Sequence, residues 1–471
     1  MLQLSAYMPS VIAVVVLAVL FFSRKKSGVF LLVKKYLFPL AIAIFFTNGL
    51  VYLYGMPYWN PIDEGSHFAY IDFLAKEKRL PLLSDRPAEE VLAIAERVYP
   101  DKPKIKPEDA GLAGYLYEAF QPPLYYLTAL PFYWMGGDNL INKLYVLRFW
   151  NLLQFSALLM VGYFILQNIR TAFPRLRLPL VFFGLTLAGF IPSLISRGIT
   201  IGNSLLSILF ASLVFWLISK LLASGKKPTA KNAGMFGIFT SLAILAKFSA
   251  LFLMPVVIIF LLVKSHQAIT KSLLYLGITG IMLLPWLAFN KTHYGSFTAN
   301  TQAREQQEAV VNPTGEKADF NYFQNNITTF MSTIWIPEET NWQSLKGIHL
   351  FGYTKIVQTL NVFLLVSLLL AAVISLSQIL KNKNNYFFIV GFACLFIASM
   401  VGQQFYAAVS GEWPVLMRIG RYVHPAIFPI AVIFVFLLER IYTRLKVPKI
   451  VVFLFCLLPI ALNVEYISTL L

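Results

Sequence analysis

Three side chains capable of acid and base chemistry lie close together near the start of the chain, as Asp63, Glu64 and His67 in the segment Asp-Glu-Gly-Ser-His-Phe. They follow directly on an apolar run that ends near residue 55, so we expect them at a membrane surface. A carboxylate there, oriented by the neighbouring acid or imidazole, could take the proton of an acceptor hydroxyl as a general base. Two other interpretations stay open. The two acids cap a surface helix, or the three side chains hold a hard divalent cation without a second ligand cluster.

A second polar motif occupies residues 115–126, which combine one acid, a Pro-Pro pair and four tyrosines. Pro122 and Pro123 predict a break in the chain followed by a new apolar helix, because proline disfavours helical backbone in the residue before it. The alternative interpretation of the tyrosines is an aromatic belt at the membrane interface.

Composition places this chemistry in an integral membrane protein. Of 471 residues, 58% are hydrophobic and 13% are charged, and the mean hydropathy is +0.68, whereas soluble domains have about a quarter charged residues. The formal net charge is +17, but the cations are dispersed over short connections and form no groove-sized patch for nucleic acid. Cys394 and Cys456 lie inside apolar runs, and their spacing indicates neither a disulfide framework nor a zinc site.

Apolar runs of about 20 residues predict about twelve membrane-spanning helices in one integral membrane domain, residues 1–471. The predicted spans are 5–22, 36–55, 146–167, 178–196, 203–222, 233–246, 250–263, 272–289, 356–379, 386–405, 425–442 and 450–466. The short runs 233–246 and 250–263 flank Lys247-Phe248-Ser249, which predicts a pair of short helices or a broken hairpin. Connections rich in Lys and Arg are assigned to the cytoplasm, so both termini are predicted to be exoplasmic.

The connections at 56–145, 290–355 and 406–424 are then predicted to face outside. Together with Glu465 they hold every acid of the chain except Glu439. Within the first connection, Pro61 with the two following acids predicts a helix start, and basic residues near 76–79 predict its end. We expect this amphipathic helix to lie on the bilayer and the chemistry to be exoplasmic. Neither GxxxxGK[ST] nor GxGxxG, the usual nucleotide phosphate cradles, occurs in the sequence.

In their order along the chain, these motifs resemble the GT-C superfamily of membrane glycosyltransferases, which includes protein O-mannosyltransferases and aminoarabinose transferases. The resemblance is closest to a bacterial branch of that superfamily. The motifs that carry it are Asp63-Glu64-Gly65-Ser66-His67-Phe68, Pro122-Pro123-Leu124-Tyr125-Tyr126, Ile191-Pro192-Ser193 with Gly202-Asn203-Ser204-Leu205, Leu245-Ala246-Lys247-Phe248-Ser249, Pro285-Trp286 with Asn290 and Tyr294-Gly295, Thr329-Phe330-Met331-Ser332 with Asn341-Trp342, and Gly420-Arg421-Tyr422-Val423-His424-Pro425. The sequence departs from the pattern at Gln121, Ser204 and Phe289.

The resemblance implies an all-α polytopic membrane protein, a GT-C-like bundle of about twelve spanning helices with two long exoplasmic loops. It implies a polyprenyl-phosphate sugar donor, a lipid, glycan or protein acceptor, and inverting transfer on the exoplasmic face. Asp63 is then the general base, Glu64 is expected to orient the acceptor or a water, and His67 lies beside them. Arg421 is expected to bind the lipid phosphate, because a guanidinium pairs with phosphate bidentately; the alternative for Arg421 is an interfacial anchor.

Further donor-side candidates are Tyr422, Arg418 and Lys247, and candidates for acceptor or loop contacts are Tyr115, Glu118, Gln121, Asn290 and Tyr294. No metal ligand is assigned and no cofactor is required, with a divalent cation kept as an alternative. Membrane lipids are expected partners and nucleic acid is not. The expected location is a prokaryotic plasma membrane.

Two other classes of function stay open. A lipid-linked glycan flippase or small-molecule transporter would place ionisable residues near the membrane midplane, and the predicted spans carry few. A non-catalytic envelope assembly protein would keep the fold without using the base, against which the intact Asp63 argues. Within transfer chemistry, the sequence does not separate single-sugar transfer from transfer of a whole glycan.

Overall fold

The computed structural model describes residues 5–57, 63–91, 116–299, 302–303, 319–337, 353–382, 385–410 and 419–470, which are helical and contain no strand. The helices are α1 (Met8–Phe22), α2 (Gly28–Gly55), α3 (Glu64–Glu77), α4 (Leu124–Met135), α5 (Leu140–Ala172), α6 (Leu178–Gly189), α7 (Pro192–Ile199), α8 (Ser204–Ser224), α9 (Ala230–Ala246), α10 (Leu253–Lys264), α11 (Ala268–Tyr294), α12 (Phe320–Thr333), α13 (Tyr353–Asn382), α14 (Asn385–Ser410), α15 (Ile427–Arg444), α16 (Lys449–Cys456) and α17 (Leu458–Leu470). Short 3-10 helices occupy Tyr117–Phe120, Phe248–Phe252 and Gly420–Ala426. The all-helical prediction is confirmed for this part of the chain.

Among the described residues, eight helical segments are long and apolar enough to cross a membrane, and a ninth is obtained if α6 and α7 form one bent span. The predicted spans 5–22, 233–246 and 250–263 fall instead on the shorter apolar helices α1, α9 and the segment Phe248–Lys264. The integral membrane character is therefore supported, whereas the count of about twelve crossings stays a prediction. The same holds for the sidedness of the long connections, parts of which lie outside the described residues.

Local sequence signals set the helix ends that carry the polar motifs. Pro192 occupies the first turn of α7, and the chain bends by 53° between α6 and α7, because proline starts a helix more readily than it continues one. Helix α9 ends at Ala246, and Lys247 is extended before the following 3-10 helix. The break predicted at 247–249 is thus confirmed, as is the new helix after Pro123.

Helix α3 is packed inside the protein. Its buried side chains include Phe68 and Ile71, but also His67 and Tyr70, which helical spacing places on the same face as Asp63. The apolar cluster around it includes residues of α4 and α5. The helix is therefore where the sequence predicts it, but it is buried on both faces rather than amphipathic at a surface.

The span that begins at Gly420 and contains α15 is the most enclosed of the candidate spans. Its side chains from Ile427 to Glu439 are all buried. A helix held this way fixes the position of the residues just before it. The motif Gly420-Arg421-Tyr422, which lies just before α15, is therefore held in place by a buried helix.

Candidate active site

Asp63 is the residue that immediately precedes α3. Its backbone carbonyl accepts a hydrogen bond from the amide of His67, at 3.1 Å. The side chain of Asp63 does not cap the helix, so helix capping does not account for this carboxylate. The carboxylate is instead directed towards cations from distant parts of the chain.

Two arginines converge on one oxygen of that carboxylate. Arg421 Nη2 lies 3.3 Å from Asp63 Oδ2, and Arg197 Nη1 lies 3.6 Å from the same oxygen. The side chains are 31% exposed for Asp63, 17% for Arg421 and 12% for Arg197. Asp63 and Arg421 are 358 residues apart in sequence. The fold therefore joins the predicted base and the predicted phosphate ligand in one half-buried site.

Lys247 adds a third cation beside this pair. Its ammonium donates to the hydroxyl of Ser204 at 2.8 Å and lies 5.0 Å from the centre of the Tyr422 ring. Burial lowers the pKa of Lys247 below its ordinary value, and the positive charge of Arg421 lowers it further. The extended backbone at Lys247, where α9 breaks, brings this lysine to the site.

The turn that carries Arg421 and Tyr422 is held against the end of α12. The amide of Gly420 donates to the hydroxyl of Thr333 at 2.7 Å, and His424 Nε2 lies 2.9 Å from the carbonyl oxygen of Ile334. A Cβ atom at Gly420 would lie 1.9 Å from the carbonyl oxygen of Phe330. The turn therefore requires glycine, because no side chain fits at that approach.

Glu64 takes no part in this open cluster. Its carboxylate is bound bidentately by Arg148, at 2.8 Å and 2.7 Å, and both side chains are wholly buried. It also accepts a hydrogen bond from the backbone amide of Ile201 at 3.1 Å. The acid next to Asp63 is thus fully engaged within the protein.

His67 lies one helical turn beyond Asp63, with its ring nitrogen Nδ1 2.8 Å from the hydroxyl of Tyr126. Its other ring nitrogen, Nε2, lies 3.7 Å from a carboxylate oxygen of Glu118. Burial lowers the pKa of His67 to about 3, outweighing the opposite effect of Asp63. His67 is therefore neutral at physiological pH and acts as a hydrogen-bonding group rather than a cation.

The remaining acceptor-side candidates make hydrogen bonds to other parts of the chain. Gln121, at the Pro-Pro motif, accepts from the side chain of Asn203 at 3.1 Å. Asn290 donates to the carbonyl oxygen of Phe297 at 3.2 Å. The hydroxyl of Tyr294 accepts from the amide of Leu83 at 3.2 Å. Tyr115 and Arg418 lie outside the described residues.

A divalent cation does not fit the side chains around Asp63. The described part of the chain has no group of three His, Cys, Asp or Glu side chains arranged to hold a metal ion. The guanidiniums of Arg421 and Arg197 lie 3.3 Å and 3.6 Å from the Asp63 carboxylate and would repel a cation. This arrangement is suited to an anionic group.

The sequence patterns did not single out Arg197 or Arg148 as functional residues. Arg197 is one of few cations in the short connections that are predicted to be exoplasmic, and the scarcity of cations there was the available signal. Arg148 lies at the start of the predicted span 146–167, where an arginine is ordinarily an interfacial residue, so its position carried little functional signal. Neither could be paired with its acid before the packing of the helices was known.

Among the solved structures with a similar helical fold are three of the oligosaccharyltransferase of Archaeoglobus fulgidus. The apo form matches with a TM-score of 0.52 and 10% identity, covering 93% of this chain and 56% of that one. The complex with zinc and sulfate matches at 0.52 and 12%, covering 91% and 53%. The form named AglB, in complex with an inhibitory peptide and a dolichol-phosphate, matches at 0.54 and 11%, covering 93% and 56%.

The chain shares the fold of these structures over more than nine-tenths of its length. The resemblance stated from the motifs is thereby confirmed at the level of the fold, which is what identities of this size establish. The chain spans little more than half the length of the structures that it matches. No family model matches the sequence, and neither does any curated protein.

Proposed function

We propose that this protein is a membrane glycosyltransferase that takes a sugar from a lipid-phosphate donor and transfers it to an acceptor hydroxyl. The observation that carries this proposal is the meeting of Asp63 with Arg421 and Arg197 at 3.3 Å and 3.6 Å, with Lys247 beside them. A carboxylate can serve as a general base, and positive charge beside a phosphate leaving group stabilises the charge that develops on it. Both groups are supplied by residues that sequence alone leaves far apart.

In the proposed reaction the acceptor oxygen attacks the anomeric carbon of the sugar. The bond from that carbon to the phosphate oxygen breaks, and its electron pair leaves with the lipid phosphate. Asp63 takes the acceptor proton, and a single displacement inverts the anomeric configuration. The guanidiniums of Arg421 and Arg197 stabilise the charge that develops on the phosphate, because fixed cations in a half-buried site need little reorganisation.

Other side chains take supporting roles in this proposal. Lys247 and Tyr422 border the phosphate, with Arg418 kept as a further donor-side candidate. The neutral His67 offers a hydrogen bond near the base. Glu118, Gln121 and Tyr115 are proposed to line the acceptor side, and Asn290 and Tyr294 to support its border.

The donor class is supported by one of the fold neighbours, whose structure is a complex with an inhibitory peptide and a dolichol-phosphate. We propose a polyprenyl-phosphate sugar as donor, a lipid, glycan or protein as acceptor, and an exoplasmic site in a prokaryotic plasma membrane. The identity of the sugar is left to experiment, as is the choice between one sugar and a whole glycan.

Transfer from a panel of radiolabelled polyprenyl-phosphate sugars tests the proposal, with membrane extract as the source of acceptor. We expect the wild-type chain to transfer label from at least one donor and Asp63→Asn to transfer none. Asp138→Asn is the matched control, because it changes an exposed acid of the same predicted connection. If a folded wild-type protein transfers label from no donor, the proposal fails, and movement of the same lipids across liposome membranes becomes the relevant assay.

A further inference from the structure

Arg148 is an arginine of α5 with no solvent exposure. Its Nε and one Nη2 hydrogen point to the two carboxylate oxygens of Glu64, at 2.8 Å and 2.7 Å. This fork geometry is the strongest pairing between a guanidinium and a carboxylate, since two parallel charge-assisted hydrogen bonds form. It fixes the side chain of Glu64 in direction as well as in distance.

The rest of the Arg148 guanidinium binds the end of α2. Nη1 donates to the carbonyl oxygens of Leu53 and Met56 at 3.1 Å and 2.8 Å, and Nη2 donates to that of Pro57 at 2.7 Å. An arginine has five N–H donors, and these contacts together with the pair to Glu64 use all of them. The positive charge also lies at the negative end of the α2 dipole, which is a favourable position. No donor of Arg148 is left for a substrate.

Glu64 extends the same connection to a third element. Its Oε1 accepts the backbone amide of Ile201 at 3.1 Å. Ile201 follows closely on α7, the helix that carries Arg197. One buried acid thus ties the start of α3, where Asp63 is the preceding residue, to the end of the helix that supplies an arginine to Asp63.

We infer that Glu64 and Arg148 are positioning residues that hold Asp63 against Arg197 and Arg421, and that neither contacts substrate. This inference rests on the proposed function, because it explains how the base is placed. It also replaces the expectation that Glu64 orients the acceptor. A buried ion pair adds little net stability compared with apolar residues of the same size. Stability alone therefore does not explain this pair, whereas the placing of Asp63 does.

A double-mutant cycle on lipid-phosphate binding separates positioning from stability. If Asp63 occupies the two guanidiniums, Asp63→Asn should raise the affinity for polyprenyl monophosphate by about fivefold in the wild-type chain. In chains that carry Glu64→Gln or Arg148→Lys, Asp63 is no longer held there, and the same substitution should raise the affinity by less than about twofold. Glu439→Gln is the matched control, since it changes another buried acid with an arginine partner, Arg177 at 3.9 Å, and should leave the full gain.

The outcomes are distinct. A gain that persists undiminished in both variants overturns the positioning role. Loss of the cooperative thermal transition in both variants, with Glu439→Gln intact, also overturns it, because the pair then serves the stability of the fold. If Asp63→Asn alone brings no gain in affinity over the wild-type chain, the proposed phosphate site itself is contradicted, whatever the Glu64 and Arg148 variants do.

Discussion

The contact between Asp63 and its two arginines has a testable consequence for donor binding. A lipid phosphate that uses the guanidiniums of Arg421 and Arg197 must compete for them with the Asp63 carboxylate, which lies 3.3 Å and 3.6 Å away. Replacing Asp63 with asparagine keeps the shape and removes the negative charge. The variant should therefore bind a polyprenyl phosphate more tightly than the wild-type chain, even though it has lost its base.

The size of the effect follows from the geometry. Two unit charges 3.3 Å apart attract by about 1 kcal/mol at the dielectric constant of water, and ion pairs that are partly exposed contribute about 0.2–1 kcal/mol when measured. Asp63 is 31% exposed, so solvent screening keeps the value near the upper end of that measured range rather than above it. A net gain of about 1 kcal/mol corresponds to about fivefold in the dissociation constant.

The assay is equilibrium binding of polyprenyl monophosphate to purified protein in lipid nanodiscs. Wild type, Asp63→Asn and Asp138→Asn are compared at one ionic strength, because exposed charges are screened by salt. We expect Asp138→Asn to match the wild type. Equal or weaker binding by Asp63→Asn would contradict this competition, since it would mean that the phosphate does not meet the cations that hold Asp63.

Three further predictions concern the residues around this centre. Arg421→Ala should weaken polyprenyl phosphate binding about tenfold and Arg421→Lys less, because lysine keeps the charge without the fork; equal binding by all three chains would leave Arg421 as an interfacial anchor. Burial lowers the pKa of His67 to about 3 in the folded chain. Below the ordinary pKa of histidine the unfolded state therefore binds more protons than the folded state. The fold should be about 2 kcal/mol less stable at about pH 5 than at about pH 8. Thermal unfolding at the two pH values should show this difference in the wild type and a smaller one in His67→Gln, whereas equal differences would show that His67 titrates normally. Gly420→Ala should destabilise the fold by about 1–3 kcal/mol because its Cβ would overlap the Phe330 carbonyl, while Gly402→Ala, with open space around it, should not; unfolding midpoints compare the two.

Local features of the site were predictable from the sequence. The helix after Asp63, the break at Lys247 and the helix after Pro123 all follow from proline, charge and apolar runs over a few residues. Such signals act within one or two helical turns, so a single sequence contains them. The membrane character of the chain was equally accessible, since it depends only on the length of the apolar runs.

The assembly of the site was not predictable in the same way. Asp63 and Arg421 meet across 358 residues, and that pairing depends on how α3, α7 and α15 pack. Burial of α3 on both faces was missed because residues of α4 and α5, distant in sequence, cover the face that looked polar. The role of Glu64 was missed for the same reason, because its partner Arg148 is 84 residues away.

Single-turnover transfer by Asp63→Asn, measured in the same preparation as its lipid-phosphate affinity, tests most directly whether Asp63 is the base beside a phosphate site. We expect the variant to bind the phosphate of the donor lipid more tightly than the wild type and to transfer no sugar, because the cations remain and the base is gone. Transfer at the wild-type rate by the tightly binding variant would contradict the assignment of Asp63 as the base.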